Sequence, residues 1–210
     1  MKNHKLSKLL LASVISSLTV PTFAQQLEEV VVTASKRAEN LQDIPQAVTA
    51  FSSERLVELG IVETSDLMGA VPNIQVTSAY GRTQPNFSIR GISVANEFSA
   101  ATASPVGVYV DEVYQSFRAS HGQQLFDLES VEVLRGPQGT LYGRNTTGGA
   151  VNVNTIKPSL GEGASGFLNV RLGNYSYADF SGAVEATIIP DVLGVRLSGA
   201  VSEADGYVCL

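Results

Sequence analysis

The chain has 210 residues, of which 44% are hydrophobic and 16% charged, and a formal net charge of −6. Charge this sparse with ordinary apolar content excludes a wholly disordered chain, and an acidic balance without a basic patch excludes a general nucleic-acid binder. One cysteine and two histidines provide no disulfide and no Cys/His zinc cluster. A serine triad through His121 lacks its Gly-x-Ser-x-Gly elbow, so the chain is not read as an enzyme and no cofactor is expected.

Residues 1–24 divide into three parts. Lys2, Lys5 and Lys8 form a basic start, Leu9 to Val20 is apolar, and Thr22-Phe23-Ala24 ends small-x-small. This is the layout of a secretory signal peptide cleaved after Ala24, with an apolar part shorter than the ~20 residues of a membrane-spanning helix. Its removal leaves an exported chain that is more acidic still, with Lys36 and Lys157 as its remaining lysines.

Next comes Leu27-Glu28-Glu29-Val30-Val31-Val32-Thr33-Ala34, a β-prone run behind two acids, followed by a polar stretch to Asp43. A short strand on a polar tether is either an edge strand of the neighbouring domain or a free segment awaiting a partner. From Pro45 a mixed region begins. Ala47 to Phe51 reads as a strand, Ser52 as the N-cap of a helix through Leu59, and Gly60 as its stop. A second helix is predicted at Ser65 to Ala70, ended by Val71-Pro72 because a residue before proline disfavours helix. Strands are predicted at Asn73 to Thr77, Phe87 to Ile92, Val106 to Val113, Ser130 to Leu134 and Ala150 to Thr155, with loops at 79–86, 93–104 and 115–124. The count predicts a small α+β domain with a mixed sheet.

Between the last two strands lie Gly136, Gly139, Gly143, Gly148 and Gly149. A phosphate-binding loop would need Gly-Lys-Ser/Thr opening a helix. Here Gly148-Gly149 opens a β-like run, so these glycines are read as turn formers.

After Pro158 the pattern changes to strict alternation. Leu168, Val170 and Leu172 oppose Asn169 and Arg171. Phe180, Val184, Ala186 and Ile188 oppose Asp179, Ser181, Glu185 and Thr187. Val195, Leu197 and Val201 oppose Arg196, Ser198 and Ser202. Runs of this kind, turned at Gly173-Asn174 and Pro190-Asp191, fit outer-membrane barrel strands; an ordinary antiparallel meander with one wet face fits the alternation as well. The export signal favours the barrel.

The segment Val131 to Asn152 is similar to the glycine-rich segment in the plug of TonB-dependent outer-membrane receptors. Ser88-Ile89-Arg90-Gly91-Ile92, Tyr109-Val110-Asp111-Glu112-Val113 and the run Glu29 to Ala34, which resembles their energy-coupling box, match the same family. The resemblance implies a signal peptide at 1–24, the TonB box and tether at 25–35, an α+β plug domain at 36–158 (a small mixed sheet with short helices), and at 159–210 the first antiparallel strands of a roughly 22-stranded transmembrane β-barrel. At ~10 residues per strand, the residues beyond Pro158 suffice for about three, so the chain is expected to be the amino-terminal part of a longer receptor or a truncated product.

By the same resemblance, Glu29, Val30, Val31, Val32, Thr33 and Ala34 are expected to pair with TonB, which carries the energy of its inner-membrane complex. Arg90, Glu132 and Arg135 are expected at the plug–barrel contact, the arginines facing glutamates of the inner wall. Tyr80, Arg82, Asn96 and Phe98 are candidate ligand contacts on loops facing outward. The implied setting is the outer membrane of a Gram-negative bacterium, with barrel strands against lipid and the plug on the periplasmic side of the lumen. The implied cargo is a ferric siderophore or other iron chelate, with oligosaccharide or cobalamin as alternatives. A secreted binding module without transport activity is the competing class.

Overall fold

The computed structural model describes residues 31–32, 36–37, 39–40, 44–79, 84–96, 98, 102–122, 124–161 and 163–205. The expected leader at 1–24 and, of the expected site residues, Glu29, Val30, Thr33, Ala34, Tyr80 and Arg82 lie outside them.

Local chemistry sets the first elements. Strands β1 (Val31–Val32) and β2 (Glu39–Asn40) pair antiparallel. Strand β3 (Val48–Ser52) runs into helix α1 (Ser53–Glu58), whose first turn is capped by Ser52: its hydroxyl accepts from the Arg55 amide at 3.4 Å. Gly60 at φ 65 turns the chain out of the helix, the left-handed exit predicted for it. A 3-10 turn (Thr64–Asp66) leads into α2 (Leu67–Ala70), and Val71 before Pro72 is already extended, as the proline requires. Strands β4 (Ile74–Thr77) and β5 (Asn86–Ile89) form a hairpin.

The central sheet collects strands distant in sequence. β6 (Val106–Val110), β7 (Val113–Tyr114), β8 (Leu128–Arg135) and β9 (Gly149–Thr155) join β3 in the order β3-β8-β9-β6-β7. β8 is antiparallel to both β3 and β9, and β6 runs parallel to β9, so the sheet is mixed as predicted. Phe51, Val106, Val108, Val131, Val133, Val151 and Val153 on one sheet face bury against Leu56, Ile61, Leu67, Ile74, Phe87 and Ile89 from α1, α2 and the β4–β5 hairpin. Each such side chain stabilises by ~1.5–3 kcal/mol, which makes this layer the main source of plug stability.

Three local features depart from the predicted pattern. The run Val106 to Val113, read as one strand, folds back at Asp111 and Glu112, both left-handed (φ 46 and 68). This is the backbone of a tight hairpin turn, which Asp-Gly or Asn-Gly announces and Asp-Glu does not. The Asp111 carboxylate holds it by accepting from the Thr155 amide at 2.9 Å and the Thr155 hydroxyl at 2.8 Å. The run Phe87 to Ile92 ends at Ile89 because Arg90 (φ 53) and Gly91 (φ 79) turn the chain. Within the glycine-rich segment a single helical turn, α3 (Gly139–Tyr142), appears between β8 and β9. Gly149 there has φ 154, and a Cβ at this position would lie 2.2 Å from the Leu134 carbonyl oxygen, so no other residue fits.

Strands β10 (Ala164–Leu172), β11 (Ala178–Ile189) and β12 (Leu193–Glu203) form a separate antiparallel sheet in chain order. Its polarity decides between the two readings of the alternation. On β11 the polar-register side chains Asp179, Ser181 and Ala183 are 0%, 3% and 3% exposed, whereas Phe180, Val184 and Ile188 are 48%, 61% and 61% exposed. A soluble meander would bury Val184 and wet Ser181. β11 does the reverse, turning its apolar face outward and its polar face to the plug, as a wall strand between lipid and lumen must.

Candidate functional site

The expected TonB-pairing segment is represented by Val31 and Val32. They pair with Asn40 and Glu39, so in this structure the segment is the first strand of a hairpin on the plug rather than a free end. Val32 is fully buried against Ile44, Tyr109, Leu134 and Ala150. Lys36, left-handed at φ 57, makes the turn between β1 and β2 and places its ammonium 5.6 Å from the Tyr142 ring centroid. Tyr109 donates to the Tyr142 carbonyl oxygen at 2.7 Å, and its ring meets Tyr142 edge-on at 4.9 Å. Burial, with the nearby Glu132 carboxylate second, pushes the Tyr142 phenol up.

Glu132 is fully buried on the same side of the sheet. It accepts from Asn152 Nδ2 at 3.4 Å and Asn154 Nδ2 at 3.3 Å, and Asn154 also donates to Ser130 at 2.9 Å. Strand parity separates Glu132 from Arg135: three residues apart on β8, they project from opposite faces. Arg90 Nη1 stands 3.2 Å from where a Cβ on Gly136, the residue after Arg135, would be. Arg135 Nε is buried with no hydrogen-bond partner among the described residues. The structure thus places the Arg90 guanidinium beside Gly136, just past the end of β8, and puts Glu132 on the sheet face that buries Val32 of the β1–β2 hairpin.

Of the candidate ligand residues, Asn96 folds back locally, its Oδ1 accepting from the Phe98 amide at 3.0 Å, and Phe98 is exposed. Residues 115–122 are more ordered than their composition predicts. A 3-10 turn (Arg118–His121) buries both terminal side chains; Arg118 donates to Asn86 Oδ1 at 2.7 Å and Thr64 to the His121 carbonyl oxygen at 2.7 Å. His121 Nε2 lies 2.9 Å from the Gln115 carbonyl oxygen, which only accepts, so Nε2 carries the proton.

Burial holds the His121 imidazole below its ordinary pKa, and Arg118 adds to the shift. The unfolded chain then takes up the proton first, near pH ~6.5, so the stability this group contributes is complete above that pH and declines as pH falls below it. We expect the melting temperature to drop between pH 7 and pH 5, and His121→Gln to lessen that drop. An equal drop in both proteins would show that His121 is not responsible.

Charged residues outside the expected trio join plug to wall. Arg196 on β12 donates from Nε to Asp127 Oδ2 at 3.0 Å and pairs with Oδ1 through Nη2 as well. Its Nη1 donates to Glu185 Oε2 at 2.7 Å, and Glu185 is its directly opposed partner on β11. The Phe167 ring lies 6.0 Å from the guanidinium carbon. Toward the other end of β11, Gln124 of the plug donates to Asp179 Oδ1 at 2.9 Å, and Arg171 Nε sits 3.1 Å from Asp179 Oδ2 without hydrogen-bond alignment. The hydrogen bonds from Arg196 hold the Asp127 carboxyl below the usual carboxylate range. The signal for these residues was present in the alternation: a charge on the inward face of a lipid-facing strand has to be paired.

A compact mixed-sheet plug, joined by ion pairs to strands that turn polar faces inward and apolar faces outward, defines the class as an outer-membrane barrel protein with a plugged lumen. The family model described as TonB-dependent Receptor Plug Domain matches residues 40–150, and the chain belongs to that family. It is similar to the pesticin receptor of Yersinia pestis, 34% identical over 138 residues, covering 65% of this chain and 20% of that protein. It is also similar to the vitamin B12 transporter BtuB of Vibrio vulnificus, 28% identical over 209 residues, covering 96% of this chain and 33% of that protein. Among solved structures, the ferric yersiniabactin uptake receptor FyuA from Yersinia pestis superposes with a TM-score of 0.66 at 27% identity, covering 74% of this chain and 24% of that one. The chain therefore spans between a fifth and a third of the length of these relatives.

Proposed function

We propose that this chain is the plug and opening wall of a TonB-dependent receptor that takes up a ferric chelate across the outer membrane, without chemistry on its cargo. The observation that carries the reading is the inverted polarity of β11 against a plug-family domain. Glu29 to Ala34 act by strand addition: main-chain hydrogen bonds to TonB replace those that Val31 and Val32 make with β2. That exchange couples the inner-membrane energy source to β3, which comes directly after the hairpin. Arg90 and Arg135 face acidic residues of the wall in the complete barrel. The buried Arg135 Nε supports this, since an unmet buried donor costs ~1–3 kcal/mol. Tyr80, Arg82, Asn96 and Phe98 meet the ligand from the outer side, and the plug closes the lumen toward the periplasm.

Likeness to FyuA favours a ferric siderophore, and likeness to BtuB over nearly the whole chain favours cobalamin as the second reading. The test is growth of a strain deleted for the gene on single ferric chelates and on cobalamin as limiting nutrient. Loss of growth on one ferric chelate, restored by the gene only when TonB is present, is the expected result. Loss on cobalamin alone would replace the cargo, and unimpaired growth on every compound would remove the uptake reading.

A further inference from the structure

Asp127 stands at the corner where β8 begins, in the left-handed region at φ 54, where glycine or asparagine is the low-strain choice. Its carbonyl oxygen accepts from the Ile156 amide at 3.2 Å, which ties the corner to the end of β9. The carboxylate leaves the plug at this point and meets Arg196. One edge of that guanidinium is engaged by the plug and the other by Glu185 of the wall, with Phe167 beside it. An exposed ion pair on a flexible stem contributes little. Here the Arg196, Asp127 and Glu185 side chains are 11%, 4% and 16% exposed, and the guanidinium is held in place by its own wall before the plug is counted. Removing one member leaves a nearly buried charge without its counterpart. The place matters too: β8 is the strand bonded to both β3 and β9, so a fastening at its head holds the middle of the sheet.

We propose that Arg196, Asp127 and Glu185 form a latch that seats the β8 side of the plug on its wall and keeps the lumen closed at rest. The proposal rests on the receptor reading only in requiring a wall around the plug. It is tested in cells lacking TonB that express the whole gene, by sensitivity to a large glycopeptide antibiotic that an intact outer membrane excludes. Variants are compared at equal amounts of folded protein in the outer membrane. Arg196→Gln and Asp127→Asn are each expected to raise sensitivity fourfold or more. Asp127→Arg combined with Arg196→Glu and Glu185→Gln, which reverses the pair, is expected to return it to within twofold of the parent. Should Arg196→Gln fail to assemble, Asp127→Asn, isosteric and on the plug, carries the same expectation. Unchanged sensitivity in the assembled single variants, or a reversed pair as leaky as they are, overturns the latch. A leak in cells that take up no chelate leaves the latch standing and counts against the cargo alone.

Discussion

Val31→Pro is expected to reduce capture of the protein by the carboxy-terminal domain of TonB about tenfold, while Val31→Ala leaves capture largely intact. The reason lies in the backbone. Strand addition draws its affinity from main-chain hydrogen bonds, and proline both lacks the donor and fixes φ near −65°, off the extended value of a paired strand. Loss of one or two such bonds at ~0.5–1.5 kcal/mol each removes ~0.5–3 kcal/mol, a range centred near the ~1.4 kcal/mol of a tenfold change. Alanine keeps the donor and loses only the side chain. Because Val31 already pairs with Asn40, the same proline also weakens the resting hairpin. Reduced capture therefore has to come from the TonB side, as a loosened hairpin by itself would make the segment easier to engage. Pull-down of the detergent-solubilised protein reads this directly, and equal capture of both variants would assign the segment to the plug sheet alone.

Val184→Arg is expected to prevent accumulation of folded protein in the outer membrane, and Val184→Leu to have no effect. Val184 is 61% exposed on the outward face of β11. An arginine on the lipid face of a barrel strand costs ~2–4 kcal/mol near the bilayer midplane. In a secreted module that leaves Val184 open to water, as exposed as it is here, the same substitution would add a charge to an apolar patch and improve solubility. One change thus has opposite consequences for a strand facing lipid and for one facing water. Heat-modifiable migration of the outer-membrane fraction distinguishes them; a folded, more soluble Val184→Arg protein would favour a secreted module.

Much of the fold is legible residue by residue. Ser52 before Glu54-Arg55, Gly60 after Leu59 and Val71 before Pro72 state where two helices begin and end, since capping and proline sterics act within a few residues. The alternation in β10 to β12 states that one face of each strand is apolar, because successive side chains in a strand point to opposite sides. The glycine-rich segment and its flanking strands carry the family resemblance on their own. Even so, the turn at Asp111-Glu112 escaped, for its left-handed backbone is stabilised by Thr155, 44 positions away, rather than by its own residue types.

The site shows the same division more sharply. Charges that are close neighbours along the chain separate in space: Glu132 and Arg135 share a strand but not a face, and Glu132 ends among Asn152 and Asn154. Whether Val31 and Val32 form an edge strand or a free segment turned on the Glu39–Asn40 partner and on a cavity for Val32, both assembled from distant strands. What the amino-acid sequence determines by itself is the family, the strand periodicity and the presence of paired polar and apolar faces, all of which are local or periodic properties of the chain. Only the tertiary structure decides which face meets the plug and that Arg196 finds Asp127 across 69 positions, because a charge chooses its partner by distance in three dimensions, and burial, not composition, makes that choice binding.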